Sequence, residues 1–201
     1  MDCRHIITSV YDAMNGKSKL PQEVLDIKGM CPPNIRRLFN NICNFQGCRY
    51  LEVGSYLGAS LASAAYDNPG LFYGIDDFSQ FNNNINRIKS NIDRFPNIQF
   101  YEANSWEIDL SLFHDINVYF YDGDHSTESQ EQAITYFWPC LSHQFIWLVD
   151  DYSWPEPFKG TQAALKRLDV ELKIELHDDR NKTGWWNGLL VALCRKSLRM
   201  L

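Results

Sequence analysis

Five groups of side chains able to do chemistry stand at the ends of short apolar runs: Glu52 with Gly54, Asp76 with Asp77, Asn104 with Ser105, Asp122 with Asp124 and His125, and Asp150 with Asp151. Strands of an open α/β sheet end in this way, and such sheets bind their ligands outside the carboxyl ends of the strands. In YLEVGSYLGAS, Tyr50 to Ser60, two glycines stand four residues apart, and Ala59, Ser60, Ala62, Ser63, Ala64 and Ala65 follow. That is a buried strand, a tight turn and a helix thin enough to pack closely on a sheet. The spacing lacks the third close glycine that lets helix amides face a pyrophosphate, so a ligand without phosphate fits it better.

Asp76 lies about 20 residues beyond the turn, where a carboxylate accepts hydrogen bonds from ribose hydroxyls. Asp77 reads first as a helix cap and second as its neighbour in that role. Glu52, inside the first strand, needs donors from nearby groups or from a cationic ligand. Asp122, Asp150 and Asp151 make a carboxylate set suited to a hard divalent cation if they meet in space. The competing reading has Asp150 closing its strand and Asp124 capping the following helix. His125 is a candidate general base, since an unperturbed imidazole titrates near neutral pH. Local bonding to Asp122 or Asp124 is its plainer role. His143 reads as part of a loop that enters the fifth strand from the far end.

The elements that must position these residues follow from hydrophobic spacing. Strands are expected at Arg49 to Val53, Leu71 to Ile75, Ile98 to Glu102, Val118 to Tyr121 and Phe145 to Val149, with two further strand-like runs at Glu171 to Leu176 and Gly188 to Cys194. Helices are expected at Ala59 to Tyr66, Gln80 to Phe95, Glu128 to Leu141 and Gly160 to Leu168. Phe81, Ile85, Ile88, Ile92 and Phe95 form the stripe of the second, and Thr127 with Gln130 forms a capping box for the third. The final runs are joined through His177 to Trp186, with turn signals at Asn181 and Gly184. Alternation of strand and helix predicts a Rossmann-like, doubly wound, mostly parallel sheet. An N-terminal helical extension, 1–48, precedes the α/β part, 49–201. In it, 1–20 reads as a short helix, 21–34 as irregular, and a helix starts near Asn34.

With 201 residues and 45% hydrophobic content, the chain can bury one sizeable core. The formal charge of -6 gives no electrostatic reason to hold nucleic acid, and the basic cluster Arg195, Lys196 and Arg199 reads as a solvated tail. Six cysteines without metal-type pairing predict reduced, packed thiols. No run approaches a membrane span and the first residues lack a signal-peptide core, so a soluble, cytoplasmic protein without membrane partner is expected. A homo-oligomer is left open.

A turn without phosphate glycines, a ribose-binding acid and a buried carboxylate together point to S-adenosylmethionine, whose sulfonium and ammonium are positive. LEVGSYLGAS resembles the first motif of the catechol and caffeoyl-coenzyme A type of O-methyltransferases: an acid, one residue, glycine, three residues, glycine, then a serine. GMCPPNIRRLFNNIC, YDGDHSTESQ and WLVDDYSWP are similar to small bacterial and viral class I methyltransferases of the same superfamily, and the likeness runs from about residue 28 to 194. The resemblance implies a seven-stranded sheet with an antiparallel last strand. It places Gly54, Ser55, Tyr56 and Gly58 at the methionine half of the cofactor, Asp76 at the ribose, and Asn104 with Ser105 at the adenine edge; Glu52, Asp77 and Asp122 complete the expected cofactor set.

In the catechol type, an aspartate after the fourth strand and an acid-amide pair after the fifth hold magnesium. Here these positions are Asp122 and Asp150-Asp151, with an aspartate in place of the amide. The lysine base of that type corresponds to His125. The expected activity is therefore O-methylation of a small hydroxylated acceptor such as a sugar, a phenol or a natural product. Tyr152, Trp154, Trp185 and Trp186 are expected in loops that line the acceptor site. The competing readings are a methyltransferase without metal, a non-catalytic cofactor-binding or assembly protein, and a nicotinamide oxidoreductase, which the missing glycine disfavours.

Overall fold

The computed structural model describes residues 2–81, 85–177 and 184–196. Seven strands form one sheet in the order β3-β2-β1-β4-β5-β7-β6. They are β1 (Cys48–Val53), β2 (Gly70–Asp76), β3 (Ile98–Glu102), β4 (Ile116–Tyr121), β5 (Leu141–Val149), β6 (Leu168–Leu176) and β7 (Leu189–Lys196). β2 pairs in parallel with β1 and β3, β4 pairs in parallel with β5, and β7 runs antiparallel to both β5 and β6. The chain clusters into two compact units, 2–108 and 109–201.

In the first unit, α1 (Cys3–Met14) starts where Asp2 accepts the His5 amide, and it turns Ile6, Val10 and Ala13 inward onto α3 (Pro33–Ile42). Pro33 suits the first turn of α3, where its missing N–H is no loss, and Ile35, Leu38, Phe39 and Ile42 form its buried stripe. The segment expected to be irregular contains a one-turn helix, α2 (Gln22–Leu25). Its carbonyl ends explain why it holds: the buried Arg36 guanidinium donates to the carbonyls of Val24, Leu25 and Ile27, and through Nε to Ser63 of α4 (Ala59–Ala65) at 2.9 Å. A cation facing the last carbonyls of a helix is favourable. Arg36→Met is expected to cost about 3 kcal/mol, because it strands buried acceptors. A urea denaturation midpoint that hardly moves would contradict this.

The small residues of α4 let the chain pack closely: a Cβ on Gly29 would lie 2.6 Å from the Cβ of Ala59. α5 is described as Ile85–Ile92, with Ile88 and Ile92 buried, while Phe81 and Phe95 flank it rather than belong to it. Gln80 and Phe81, where the longer helix is expected to start, are bends, while 82–84, Asn181 and Arg199 lie outside the described residues.

In the second unit, α6 (Thr127–Phe137) begins one residue earlier than its expected capping box. Ser126 is the cap, and its hydroxyl accepts the Ser129 amide at 3.2 Å. Pro139 stops the helix, so Trp138–Cys140 tightens to a 3-10 turn and Leu141 opens β5. His143 therefore lies in the exposed beginning of that strand and not in a loop. α7 (Pro155–Leu165) starts earlier than expected because Pro155 fits its first turn. Gly160 is inside it, not at its start, and a Cβ there would meet the Thr127 carbonyl oxygen at 2.2 Å, so α6 and α7 touch backbone to backbone.

β6 carries Asp169, Glu171, Lys173 and Glu175 at alternate positions, and its register with β7 shifts between Val170 and Leu172. All six cysteines are free thiols. Among the described residues no helix is long and apolar enough to cross a membrane.

Candidate functional site

In the first unit, β1 and β2 run in register until Val53 stands beside Ile75, and Gly54 then donates its amide to the Ile75 carbonyl at 2.9 Å. Gly54 (φ 89), Tyr56 (φ 48) and Gly58 (φ 76) all adopt left-handed backbone, which gives the turn its tightness. A Cβ on Gly58 would stand 2.8 Å from Ile92 Cγ2, so a side chain there meets α5 as well as backbone strain. Ser55 is buried, and its hydroxyl helps to lower the pKa of the neighbouring Glu52 carboxyl.

Glu52 is 0% exposed. Its partners are side chains: Tyr50 Oη donates at 2.6 Å and Ser60 Oγ at 3.0 Å. Burial pushes the carboxyl up to about 7, against the lowering effect of those hydroxyls. Asp76 accepts the Tyr56 amide on one oxygen at 2.6 Å and the Phe78 amide on the other at 2.7 Å. Burial raises its pKa, and the backbone amides of Tyr56, Phe78 and Ser55 oppose the rise. Asp77 is exposed and accepts the Ser79 amide at 2.9 Å within a turn; no helix starts at 78–80, so it caps none, contrary to expectation. After β3, the Ala103 amide donates to the Asp76 carbonyl at 3.1 Å, so this loop is tied to the end of β2. Asn104 is exposed and accepts the Trp106 amide at 3.0 Å, while Ser105 and Trp106 are half-buried.

In the second unit, Asp122 follows β4, and Asp150 and Asp151 follow β5, where the Asp150 amide donates to the Tyr121 carbonyl at 3.2 Å. His125 Nε2 lies 3.1 Å from Asp151 Oδ2 and 3.6 Å from Asp122 Oδ1. One ligating atom from each of Asp122, His125 and Asp151 lies within 4.8 Å of the others. Asp150 is outside that group. It is 9% exposed, its Oδ1 has no hydrogen-bond partner, and burial, with the charges of Asp122 and Asp151, holds its pKa well above the carboxylate range. Burial also raises Asp151, with His125 opposing. Asp124 does not cap the helix, since Ser126 does: it accepts the amide and hydroxyl of Ser126 in the preceding turn, which lowers its pKa.

The sequence points to His125 as a base beside three acids, whereas the fold makes it a full member of the donor group. The i, i+3 spacing from Asp122 is the signal that carries this. Nothing local marks the left-handed backbone of Asp151 (φ 51), which has no glycine to announce it.

The four aromatics divide into two kinds. Tyr152 and Trp185 are buried, contrary to the expectation that they line an acceptor site; Tyr152 Oη donates to Glu175 at 2.8 Å and receives the Gln162 side-chain amide. Trp154 is 43% exposed and packs edge-on against the His125 ring at 5.5 Å. Trp186 is also partly exposed, on a loop tied to the Tyr152–Ser153 backbone by Gly188 and Asn187.

No curated protein matches this chain in sequence. Solved structures match in fold. A precorrin-6y C5,15-methyltransferase from Geobacter metallireducens is 15% identical, with a TM-score of 0.59, over 81% of this chain and 87% of that one. Magnesium protoporphyrin IX methyltransferase from Synechocystis PCC 6803, with bound SAH, is 9% identical, with a TM-score of 0.58, over 94% of each chain. Cofactor-bound Rv0187 from MTB is 15% identical, with a TM-score of 0.58, over 98% of this chain and 92% of that one. A family model described as methyltransferase domain matches residues 51–152, from inside β1 to the loop after β5, and so takes in the glycine turn, Asp76, and the Asp122, His125 and Asp151 group. With that match over half its length, the chain belongs to the methyltransferase domain family, and membership implies S-adenosylmethionine as the methyl donor.

Proposed function

We propose that this protein transfers the methyl group of S-adenosylmethionine to an oxygen of a small hydroxylated acceptor. The convergence of Asp122, His125 and Asp151 carries the reading. Two carboxylates so close together form a donor set for a divalent cation, with the His125 ring beside them free for the proton, and the buried Asp150, raised by burial and their charges, has an oxygen without a donor. Asp122 and Asp151 would hold the cation. Bound there, it would lower the pKa of a hydroxyl that it touches.

His125, whose Nε2 lies 3.1 Å from Asp151 and 3.6 Å from Asp122, takes the hydroxyl proton. Trp154, half-exposed against the His125 ring, gives the acceptor an apolar face. For the cofactor, Gly54, Ser55, Tyr56 and Gly58 take the methionine half, with the buried Ser55 hydroxyl and the buried Glu52 supplying polar atoms to a cationic ligand. Asp76 takes the ribose, and Asn104 with Ser105 the adenine edge. The methyl is already activated by the positive sulfur, so positioning and proton removal are the work left to the protein.

The test is release of S-adenosylhomocysteine with a panel of catechols, phenols and sugars, in EDTA and after adding back magnesium or manganese. Activity is expected to fall about 100-fold in EDTA and to return with the metal. Activity that persists in EDTA supports a second reading, favoured by the approach of His125 Nε2 to Asp151 at 3.1 Å: transfer without metal, with Asp151 orienting the imidazole. Cofactor binding with no transfer to any acceptor would instead indicate a non-catalytic binding protein.

A further inference from the structure

One carboxylate in the first unit serves two loops at once. Tyr56 lies in the turn after β1, and Phe78 in the loop after β2. Both are aromatic, and both hold left-handed backbone, with φ 48 and φ 57, that L side chains rarely adopt. Each amide donates to its own oxygen of Asp76, at 2.6 and 2.7 Å. Each ring is held as well: Tyr56 packs on Phe81 at 5.1 Å, and Phe78 stacks on Phe100 at 5.8 Å. Conformations of this kind persist only where their surroundings fix them, and they gather where a ligand site must be formed in advance.

We infer that Asp76 is a positioning residue: its carboxylate holds the turn after β1 and the loop after β2 in their binding shape before any ligand arrives, in addition to meeting the ribose. The inference rests on the cofactor reading above for its function, though not for its structural half. A carboxylate suits the task because it presents two acceptor oxygens, each with a second lone pair left over for a ribose hydroxyl. An asparagine at the same place offers one oxygen and turns an N–H2 donor toward the other amide, so one loop must let go.

The two roles separate in a cycle of affinities. S-adenosylhomocysteine and its 2′,3′-dideoxyribose analogue are titrated by calorimetry into the wild type and Asp76→Asn. If Asp76 only meets ribose, the variant binds the dideoxy analogue as well as the wild type does, and the inference falls. The expected result is that Asp76→Asn still weakens the analogue about tenfold, because the loops are no longer preset.

Hydrogen exchange of the free protein gives a second reading. The Tyr56 and Phe78 amides should exchange at least about tenfold more slowly than an unstructured chain, and at least one of them should lose that protection in Asp76→Asn. Should the variant not fold, the wild type decides: exchange of both amides at the unstructured rate overturns the inference, and slow exchange supports it. If the wild type binds neither ligand, the cofactor reading fails, and the exchange measurement alone judges whether Asp76 holds the loops.

Discussion

Raising the pH from 4.5 to 7.5 is expected to remove about 3 kcal/mol of stability from the cofactor-free protein through Glu52 alone, and Glu52→Gln is expected to abolish that loss. The sign follows from the direction of the shift. Burial raises the folded-state pKa to about 7, above the 4.5 of an exposed glutamate, so the folded protein binds the proton more tightly than the unfolded chain does. The protonated carboxyl thus favours folding below 4.5. That advantage drains away between 4.5 and 7, as the unfolded chain ionises while the fold resists. Above 7 the fold must carry a buried negative charge, with the hydroxyls of Tyr50 and Ser60 as its donors.

A neutral glutamine keeps an acceptor for one hydroxyl and carries no charge, so the variant should be the more stable protein at pH 8 and the less favoured one at pH 4. Urea titrations at five or six pH values measure this directly. Parallel curves for wild type and variant would mean that Glu52 is reached by water, and would remove the argument for a buried charge beside the glycine turn.

Replacing Asp151 by asparagine should lower kcat about 1,000-fold with little change in affinity for S-adenosylhomocysteine. Asp151 is the oxygen donor nearest to His125 Nε2, and it is also a donor in the candidate cation group. The substitution therefore weakens both the holding of the cation and the orientation of the His125 ring. Asp124→Asn is the control. Asp124 is also a carboxylate and only two residues from Asp122, but it spends its oxygen on the Ser126 amide and hydroxyl, a role asparagine performs well, so activity should change by less than about threefold. Equal losses in the two variants would show that general negative charge matters rather than this geometry. Manganese paramagnetic resonance would show separately whether the first variant has lost the cation or only the proton acceptor.

The strand ends were legible because apolar runs stop at polar residues. β3 runs from Ile98 to Glu102 as expected, and Glu52, Asp76, Asp122 and the Asp150-Asp151 pair all fall where their apolar runs predict. Spacing could not say which way the acids point. Adjacent residues on a strand end face opposite ways, and the left-handed turn at Asp151 decides that this residue meets His125 while Asp150 is buried apart from the group.

Helix edges failed for local reasons. Ser126 and Thr127 are both good caps, and only the Ser129 amide chooses between them. Pro139 cut short a stripe that hydrophobic spacing alone would carry through Leu141. The fate of the aromatics was equally hidden, since Tyr152 is buried through a hydrogen bond to Glu175, a residue on a different strand 23 positions away. Arg36 had no signal either: an arginine on the buried face of α3 becomes intelligible only when the carbonyls of α2 are seen to end against it.

The acidic and basic residues of β6 also bear on how this protein behaves at high concentration. β6 is an outer strand of the sheet, and one of its edges is unpaired in the sheet order. An open edge is a template on which another chain can add a strand and start a fibre. Here Glu171 pairs with Arg195 and with the Gln144 side chain, and Lys173 pairs with Glu175 at 2.9 Å, so charge runs along the last two turns of the pleat. A strand arriving from solution would have to strip water from those ions, and the register shift at Val170 and Leu172 bends the line of backbone groups it would need to match. The sheet therefore ends where the chain ends it, and colloidal stability is written into the same strand that completes the fold.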